Sequence, residues 1–66
     1  MENIKFNGNE YQIIKTLESG GWIYYYTYNI KKDNEVTFLC KKLESGAKIE
    51  EIDPKEYPIL MKKFLK

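Results

Sequence analysis

The chain has 66 residues, of which 42% are hydrophobic and 15% aromatic, and its formal net charge at pH 7 is +1. This length allows one small domain, residues 1–66, and the near-neutral charge excludes a dedicated duplex-DNA-binding protein, in which basic residues dominate. The lone Cys40 cannot form an intramolecular disulfide, and no apolar run reaches the ~18 residues that a membrane span requires. The first residues also lack the apolar segment of a signal peptide. We therefore expect a cytoplasmic protein with no membrane contact.

Turn-forming residues divide the first part of the chain into four segments rich in Ile, Val, Thr, Tyr and Phe, a composition typical of strands. Because the breaks recur every 10–14 residues, the sequence predicts an antiparallel β-meander. The breaks fall at Asn7-Gly8, Ser19-Gly20-Gly21, Lys32-Asp33-Asn34 and Ser45-Gly46. The predicted strands cover residues 2–6, 10–18, 22–30 and 35–43, and residues 47–52 would form a fifth.

The chemistry of the turns predicts the strand register. Asn7-Gly8 is the preferred sequence of a two-residue hairpin loop, and Ser19-Gly20 is taken as the centre of a second such turn. The third connection is taken as a three-residue loop, 32–34, with Asn34 in the left-handed conformation. The predicted pairs are Phe6 with Asn9, Ile4 with Tyr11, Leu17 with Trp22, Lys15 with Tyr24, Ile13 with Tyr26, Tyr11 with Tyr28, Ile30 with Val36, Tyr28 with Phe38 and Tyr26 with Cys40.

These registers place most of the large apolar side chains on one face of the sheet, because side chains alternate between faces along a strand. Only Lys15, near the edge, would bring a charge to this face. We expect this face to be the hydrophobic core and Cys40 to be a buried structural thiol. The predicted members are Ile4, Phe6, Tyr11, Ile13, Leu17, Trp22, Tyr24, Tyr26, Tyr28, Ile30, Val36, Phe38 and Cys40.

The C-terminal segment has the pattern of a helix that covers this face. Asp53–Glu56, "DPKE", is typical of a helix start, with an N-cap, a proline and an acid three residues after the cap. Apolar residues then recur with helical spacing as far as Phe64. Pro58 interrupts the pattern, so we expect a short turn at Pro54–Tyr57 and a regular helix from residue 58 to 65. The predicted fold is α+β: a four-stranded antiparallel β-meander, or a five-stranded one if residues 47–52 contribute, with one C-terminal helix over residues 54–65 packed on one face.

Two stretches of the chain are "WIYYYTYNI" at residues 22–30 and "KIEEIDPKEYPILMKKF" at residues 48–64. Together they resemble a family of small proteins from low-GC Gram-positive bacteria, the YrzB-like family. In that family, an antiparallel sheet with an aromatic central strand precedes a segment of the type "L..I.D..E" that enters a final helix. This chain departs from the family's strongly acidic character and carries Pro58 within the helix. The family has no established activity, so the resemblance implies the fold and a bacterial source only.

The residue types present argue against catalysis. The chain has no His and no Arg, which removes the commonest general base, the imidazole metal ligand and the bidentate phosphate ligand. Cys40 therefore lacks a histidine partner for nucleophilic catalysis. The acids Glu50, Glu51, Asp53 and Glu56 could suit a hard metal ion, but they lack the EF-hand pattern, and two of them are explained as helix caps. We expect no enzyme activity, no catalytic residues, no metal site and no cofactor.

The sheet face opposite the predicted core is the candidate interface. No remaining segment is long enough to cover it, and an exposed apolar patch of a few hundred Å² often marks an interaction surface. We predict that Tyr25 anchors a protein partner or a second copy of the chain in a homodimer. An alternative interpretation is that such residues are ordinary on strand-rich surfaces. The candidate interface residues are Ile14, Ile23, Tyr25, Leu39 and Lys41.

Two rival functions belong to other classes. In a single-stranded nucleic-acid-binding protein, bases would stack on Tyr25 beside Lys41, although the near-zero net charge disfavours nucleic acid. A phage or mobile-element protein that inhibits a host enzyme would dock a sheet face or edge. The sequence does not separate this last class from an ordinary interaction module.

Overall fold

The computed structural model describes residues 2–32 and 35–65. Within them, the chain forms one five-stranded antiparallel sheet in which the strand order follows the sequence, and a helix follows the last strand. The predicted α+β meander with one C-terminal helix is therefore confirmed, and the fifth strand exists but has only two residues. The elements are β1 (Asn3–Phe6), β2 (Asn9–Ser19), β3 (Trp22–Asn29), β4 (Glu35–Lys42), β5 (Glu50–Glu51), a 3₁₀ turn (Pro54–Glu56) and α1 (Tyr57–Phe64).

The helical segment consists of a short turn followed by a regular helix, as predicted. The carboxylate of Asp53 accepts a hydrogen bond from the Lys55 backbone N–H at 3.0 Å, which caps the 3₁₀ turn. The α-helix then begins at Tyr57, one residue before the predicted start. Pro58 lies in the first turn of α1, where backbone N–H groups have no partner within the helix, so its missing N–H costs little.

The first hairpin has the predicted register, with Phe6 opposite Asn9 and Ile4 opposite Tyr11. Its turn residues have positive φ angles, 53° at Asn7 and 80° at the following glycine. A type I′ hairpin turn requires this conformation at both central positions.

The second turn lies one residue later than predicted. Gly20 and Gly21 are its central residues, with φ angles of 58° and 82°, because only glycine adopts this conformation at two successive positions without strain. Ser19 therefore pairs with Trp22, and Leu17 pairs with Tyr24 rather than with Trp22. The predicted register was wrong by two residues, but a shift of two keeps each side chain on its predicted face.

A Gly21→Ala substitution is expected to lower the free energy of unfolding by about 1–2 kcal/mol, the cost of a left-handed conformation in an L-residue. A Cβ at Gly21 would meet no heavy atom within 4 Å, so the penalty comes from the backbone alone. Gly21→Asn is the matched control and should cost less, because asparagine tolerates this conformation. Urea unfolding followed by circular dichroism measures both; equal stability of the Ala variant and the wild type would contradict this turn.

A β-bulge in β2 changes the pairing of β2 with β3. Lys15 is opposite Tyr26, but Ile13 is opposite Thr27, and the register shifts between Ile13 and Lys15. One extra residue, Ile14, is therefore accommodated in β2. A shift of a single residue moves every side chain beyond it to the other face of the sheet.

The bulge overturns part of the predicted core face. Tyr11 pairs with Asn29 rather than with Tyr28, so Tyr11 and Ile13 leave the face that carries Tyr26. The residues of β1 pair with this half of β2 and lie on the opposite face as well. Ile4 and Phe6 were thus assigned to the wrong face, together with Tyr11 and Ile13.

The third connection is longer than predicted. Tyr28 is opposite Val36 and Tyr26 is opposite Phe38, so five residues, 30–34, join the strands and the predicted pairs are wrong by two. The face of each side chain is again preserved. The prediction for Asn34 lies outside the described residues.

The sheet is buried on both faces at β4, where Phe38, Leu39 and Cys40 are all buried. The helix packs on the face that carries Trp22, Tyr24 and Tyr26, as predicted, and Cys40 is buried as predicted. The helix-side core consists of Phe38, Cys40, Ile52, Leu60 and Phe64, with Leu17, Trp22, Tyr24, Tyr26, Val36, Tyr57 and Met61 packed against it. The opposite core consists of Tyr11, Tyr25 and Leu39, with Ile4, Phe6, Ile13, Ile23 and Ile49 packed against it.

Candidate functional site

The residues of the predicted interface do not form an exposed patch. Tyr25 is only 8% exposed and Leu39 is fully buried, so the prediction that they face solvent is wrong. Ile23 and Lys41 are half-buried, and Ile14 at the bulge is 38% exposed. The predicted centre of the interface is therefore a second hydrophobic core.

The N-terminal hairpin covers the sheet face that carries Tyr25, which was predicted from the sequence to be uncovered. The bulge turns Tyr11 and Ile13 onto this face, and Ile49, from the connection after β4, packs there as well. A signal for the bulge is present in the sequence, because "YQIIKTL" alternates apolar and polar residues until Ile13 and Ile14 follow each other. Two adjacent apolar residues break the period of two that a regular strand requires.

The helix side of the sheet contains an open cleft of about 260 Å³. Strands β3 and β4 form one wall, and the chain from β5 into α1 forms the other. We call this feature the helix-side cleft. Its lining residues are Trp22, Tyr24, Cys40, Glu51, Ile52, Asp53, Glu56, Ile59, Leu60 and Lys63.

Strand pairing positions the sheet side of the cleft. Trp22 directly follows the glycine turn and is opposite Lys42, and Tyr24 is opposite Cys40. Trp22 and Tyr24 are two residues apart in β3, so their rings lie on the same face of the sheet. Glu50 pairs with Cys40, which brings the segment after β5 against this face.

The mouth of the cleft combines apolar and charged side chains. Ile59 is 60% exposed on α1, and Trp22 and Tyr24 are half-buried. The Nζ atom of Lys42 lies 5.7 Å from the centroid of the Trp22 ring, within the range in which an ammonium group is attracted to an indole face. The indole thus already accepts one cation from its own chain.

The formal charge of the cleft is negative. Among the lining residues, Glu51, Asp53 and Glu56 contribute three carboxylates against the ammonium group of Lys63, a net charge of −2. The Lys42 ammonium group beside Trp22 at the mouth offsets part of this charge. One oxygen of Asp53 caps the 3₁₀ turn. Within residues 2–32 and 35–65, no lysine forms an ion pair with any of these three carboxylates.

Cys40 lies at the floor of the cleft and is 7% exposed. Burial raises the pKa of the Cys40 thiol, and the negative charges of Glu50 and Glu56 raise this pKa further. The thiol therefore stays protonated at neutral pH, which makes it a poor nucleophile and a poor metal ligand.

The acids that the sequence analysis weighed as metal ligands are divided by the fold. Glu51, Asp53 and Glu56 line the cleft, whereas Glu50 is not among the lining residues. In the part of the chain that the structure describes, no group of three or more His, Cys, Asp or Glu residues could hold a metal ion. The same residues include no helix with the length and apolarity needed to cross a membrane.

Most residues of the cleft were singled out from the sequence, but they were not predicted to lie together. Trp22 and Tyr24 were predicted to be core, and Asp53 and Glu56 were explained as helix caps. Ile59 was not singled out, because it lies outside the apolar stripe of the helix. Comparison with known proteins found no matching family model, curated protein or solved structure, and the YrzB-like relationship therefore stays a prediction.

Proposed function

We propose that this protein is a non-catalytic interaction module that docks a segment of a protein partner in the helix-side cleft. The observation that carries the proposal is the exposed Ile59 beside the half-buried rings of Trp22 and Tyr24 at the mouth of an open cleft. Aromatic residues are enriched at protein interfaces and tend to dominate their binding energy.

The chemistry of the cleft supports binding rather than catalysis. Its polar side chains supply three carboxylates, one ammonium group, the Tyr24 hydroxyl, the Trp22 indole N–H and the protonated thiol of Cys40. A nucleophilic thiol requires a lowered pKa or an adjacent base, whereas burial and the nearby carboxylates raise the pKa of Cys40.

The size of the cleft supports a peptide segment over a cofactor. Its volume of about 260 Å³ is slightly below the ~300–1,000 Å³ of typical small-molecule sites. An open cleft of this size suits one or two side chains of a larger partner, with the remaining contacts made on the surrounding surface.

The same features disfavour the rival nucleic-acid function. Tyr25, the expected stacking platform, is buried in the opposite core. The helix-side cleft does offer aromatic rings, but its net negative charge repels phosphate groups.

Panning a displayed library of random 12-residue peptides tests the proposal. We expect enriched peptides to bind the wild type at least about tenfold more tightly than Ile59→Ser, the size of effect that an interface anchor produces. Ile30→Ser is the matched control, because Ile30 is 45% exposed in the connection between β3 and β4 and does not line the cleft. The proposal fails if no peptide is enriched or if Ile59→Ser binds the peptides as tightly as the wild type does.

A further inference from the structure

We infer that the chain forms a two-fold symmetric dimer in which the second half of β2 pairs with the same segment of a second copy. This segment, residues 15–19, extends beyond the end of β1, and we call it the β2 overhang. None of its residues lines the helix-side cleft, so the inference goes beyond the proposed function and can fail without it.

The β2 overhang has no neighbouring strand on its outer edge. Strand β2 has 11 residues, whereas β1 has four. The Ile13 N–H donates to the Glu2 carbonyl at 3.1 Å, and beyond this bond no strand in the described part of the chain lies beside β2 on this side. An open strand edge is a ready template for pairing with another strand.

The hydrogen bonds of β3 identify the direction of the backbone groups in the overhang. The Leu43 N–H donates to the Gly21 carbonyl at 2.9 Å, so the backbone groups of Gly21 point toward β4. Backbone groups alternate in direction along an antiparallel strand, so those of Tyr24, three residues later, point toward β2. Leu17 is opposite Tyr24, and its backbone groups are therefore used within the sheet.

The residues on either side of Leu17 point the other way. Thr16 and Glu18 each direct their N–H and C=O groups away from β3, toward the edge where the described residues provide no strand. Both residues are exposed. The overhang thus presents unpaired donors and acceptors with the spacing of a regular antiparallel ladder.

A second copy satisfies all of these groups. When two overhangs run antiparallel with Leu17 opposite Leu17, Thr16 of each copy is opposite Glu18 of the other, and each unpaired group gains a partner. Pairing Glu18 with Glu18 instead would place like charges directly opposite each other. Pairing Thr16 with Thr16 would leave Glu18 opposite the bulge residue Ile14. The register centred on Leu17 is therefore favoured.

The length of the overhang also suits a second copy. In this register, the hairpin turn of the second copy, Gly20-Gly21, ends beside Ile14. Strand β1 occupies the edge of β2 from the preceding residue, Ile13, whose N–H is bonded to the Glu2 carbonyl. The second copy therefore fills the open edge and ends before it meets β1.

Apolar side chains at the overhang are covered in such a dimer. Leu17 is half-buried and packs against the helix-side core. In the dimer it meets Leu17 of the second copy at a non-hydrogen-bonded position, where side chains of neighbouring strands lie closest. Ile14 is 38% exposed and is covered by the turn of the second copy. Both contacts bury apolar surface, which stabilises the pairing.

Proline substitution tests the pairing, because proline removes a backbone donor and is tolerated where the N–H of an edge strand faces solvent. Sedimentation equilibrium of the wild type should approach twice the mass of the chain as the concentration rises to about 1 mM. Thr16→Pro should remain folded by circular dichroism and weaken the dimer by at least about tenfold, because both copies lose a hydrogen bond.

Lys5→Pro is the matched control. The bond from Ile13 to the Glu2 carbonyl indicates that the even-numbered residues of β1 direct their backbone groups toward β2, so the Lys5 N–H points outward. This variant removes a donor from the outer edge of β1 and leaves the overhang intact. It should dimerise as the wild type does.

Disulfide cross-linking checks the register without relying on the proline variants. Leu17→Cys places a thiol opposite its symmetry mate at a Cα separation of about 4.5 Å, which allows a disulfide. Thr16→Cys is the matched control, because Thr16 is adjacent and more exposed but is offset from its mate by two positions along the strand. Mild oxidation should cross-link Leu17→Cys at least about fivefold faster than Thr16→Cys. The native thiol of Cys40 is buried in both variants.

The inference is overturned if the wild type stays monomeric at about 1 mM, if a folded Thr16→Pro dimerises like the wild type, or if Thr16→Cys cross-links as fast as Leu17→Cys. Loss of the dimer in Lys5→Pro but not in Thr16→Pro would also overturn it, because the contact would then lie at β1. The proposed function is judged separately by panning with Ile59→Ser, since Ile59 lies outside the overhang.

Discussion

A Phe64→Ala variant is expected to be largely unfolded at room temperature. Phe64 is 5% exposed, and its ring centroid lies 5.8 Å from that of Tyr26 and 5.6 Å from that of Phe38. Truncation of a buried phenylalanine costs about 3–5 kcal/mol, and a single core in a chain this short rarely supplies more than about 3–5 kcal/mol. The loss is therefore comparable to the whole free energy of unfolding.

Thermal and urea unfolding followed by circular dichroism measure this effect. Leu65→Ala is the matched control, because Leu65 is the next residue and is 76% exposed, so its truncation should change stability by no more than about 0.5 kcal/mol. Leu60→Ala, at another buried position on the same helix, should lose about 2–5 kcal/mol. Melting curves of Phe64→Ala and Leu60→Ala that match the wild type would show that α1 does not cover the sheet.

A Tyr25→Ala variant is expected to lose about 3–5 kcal/mol of stability, the range for truncation of a large buried aromatic ring. Tyr25 is 8% exposed and packs with Tyr11 and Leu39 in the core opposite the helix. This outcome reverses the expectation from the sequence, in which Tyr25 lies on an uncovered face and anchors a partner.

The control for Tyr25 is Ile30→Ala, at an exposed position just beyond the end of β3, which should leave the urea midpoint nearly unchanged. If Tyr25→Ala melts like the wild type and differs only in sedimentation, the result would support the original prediction of an interface on this face. Loss of the cooperative melt would place Tyr25 in the core.

The strands, the approximate positions of the turns and the helix could be predicted from the sequence because short-range sterics decide them. Asn7-Gly8 and Gly20-Gly21 adopt positive φ angles that few other residue pairs tolerate. Asp53 and Pro54 start the helical segment by local hydrogen bonding and fixed geometry. These signals require no knowledge of distant contacts.

The sequence placed Trp22, Tyr24 and Tyr26 on the correct side of the sheet, the helix side, although two of the predicted registers were wrong. The second turn was misplaced by one residue and the third connection was too short, yet both errors shift the pairing by two residues. Side chains repeat their direction every two residues along a strand. The sheet face on which a strand residue lies is therefore predicted more reliably than the residue that lies opposite it in the neighbouring strand.

Only the tertiary structure determined on which face of the sheet the apolar side chains of the N-terminal strands lie. It also determined which residues line the helix-side cleft. The bulge at Ile14 turns Tyr11 onto the face of Tyr25, where both are buried in the opposite core. This burial of apolar surface opposes the cost of the interrupted strand ladder. The meeting of Trp22 with Glu56 and Ile59 likewise depends on the docking of α1. By itself the sequence determined the local conformations; burial summed over distant segments determined which faces are covered and which cleft remains open.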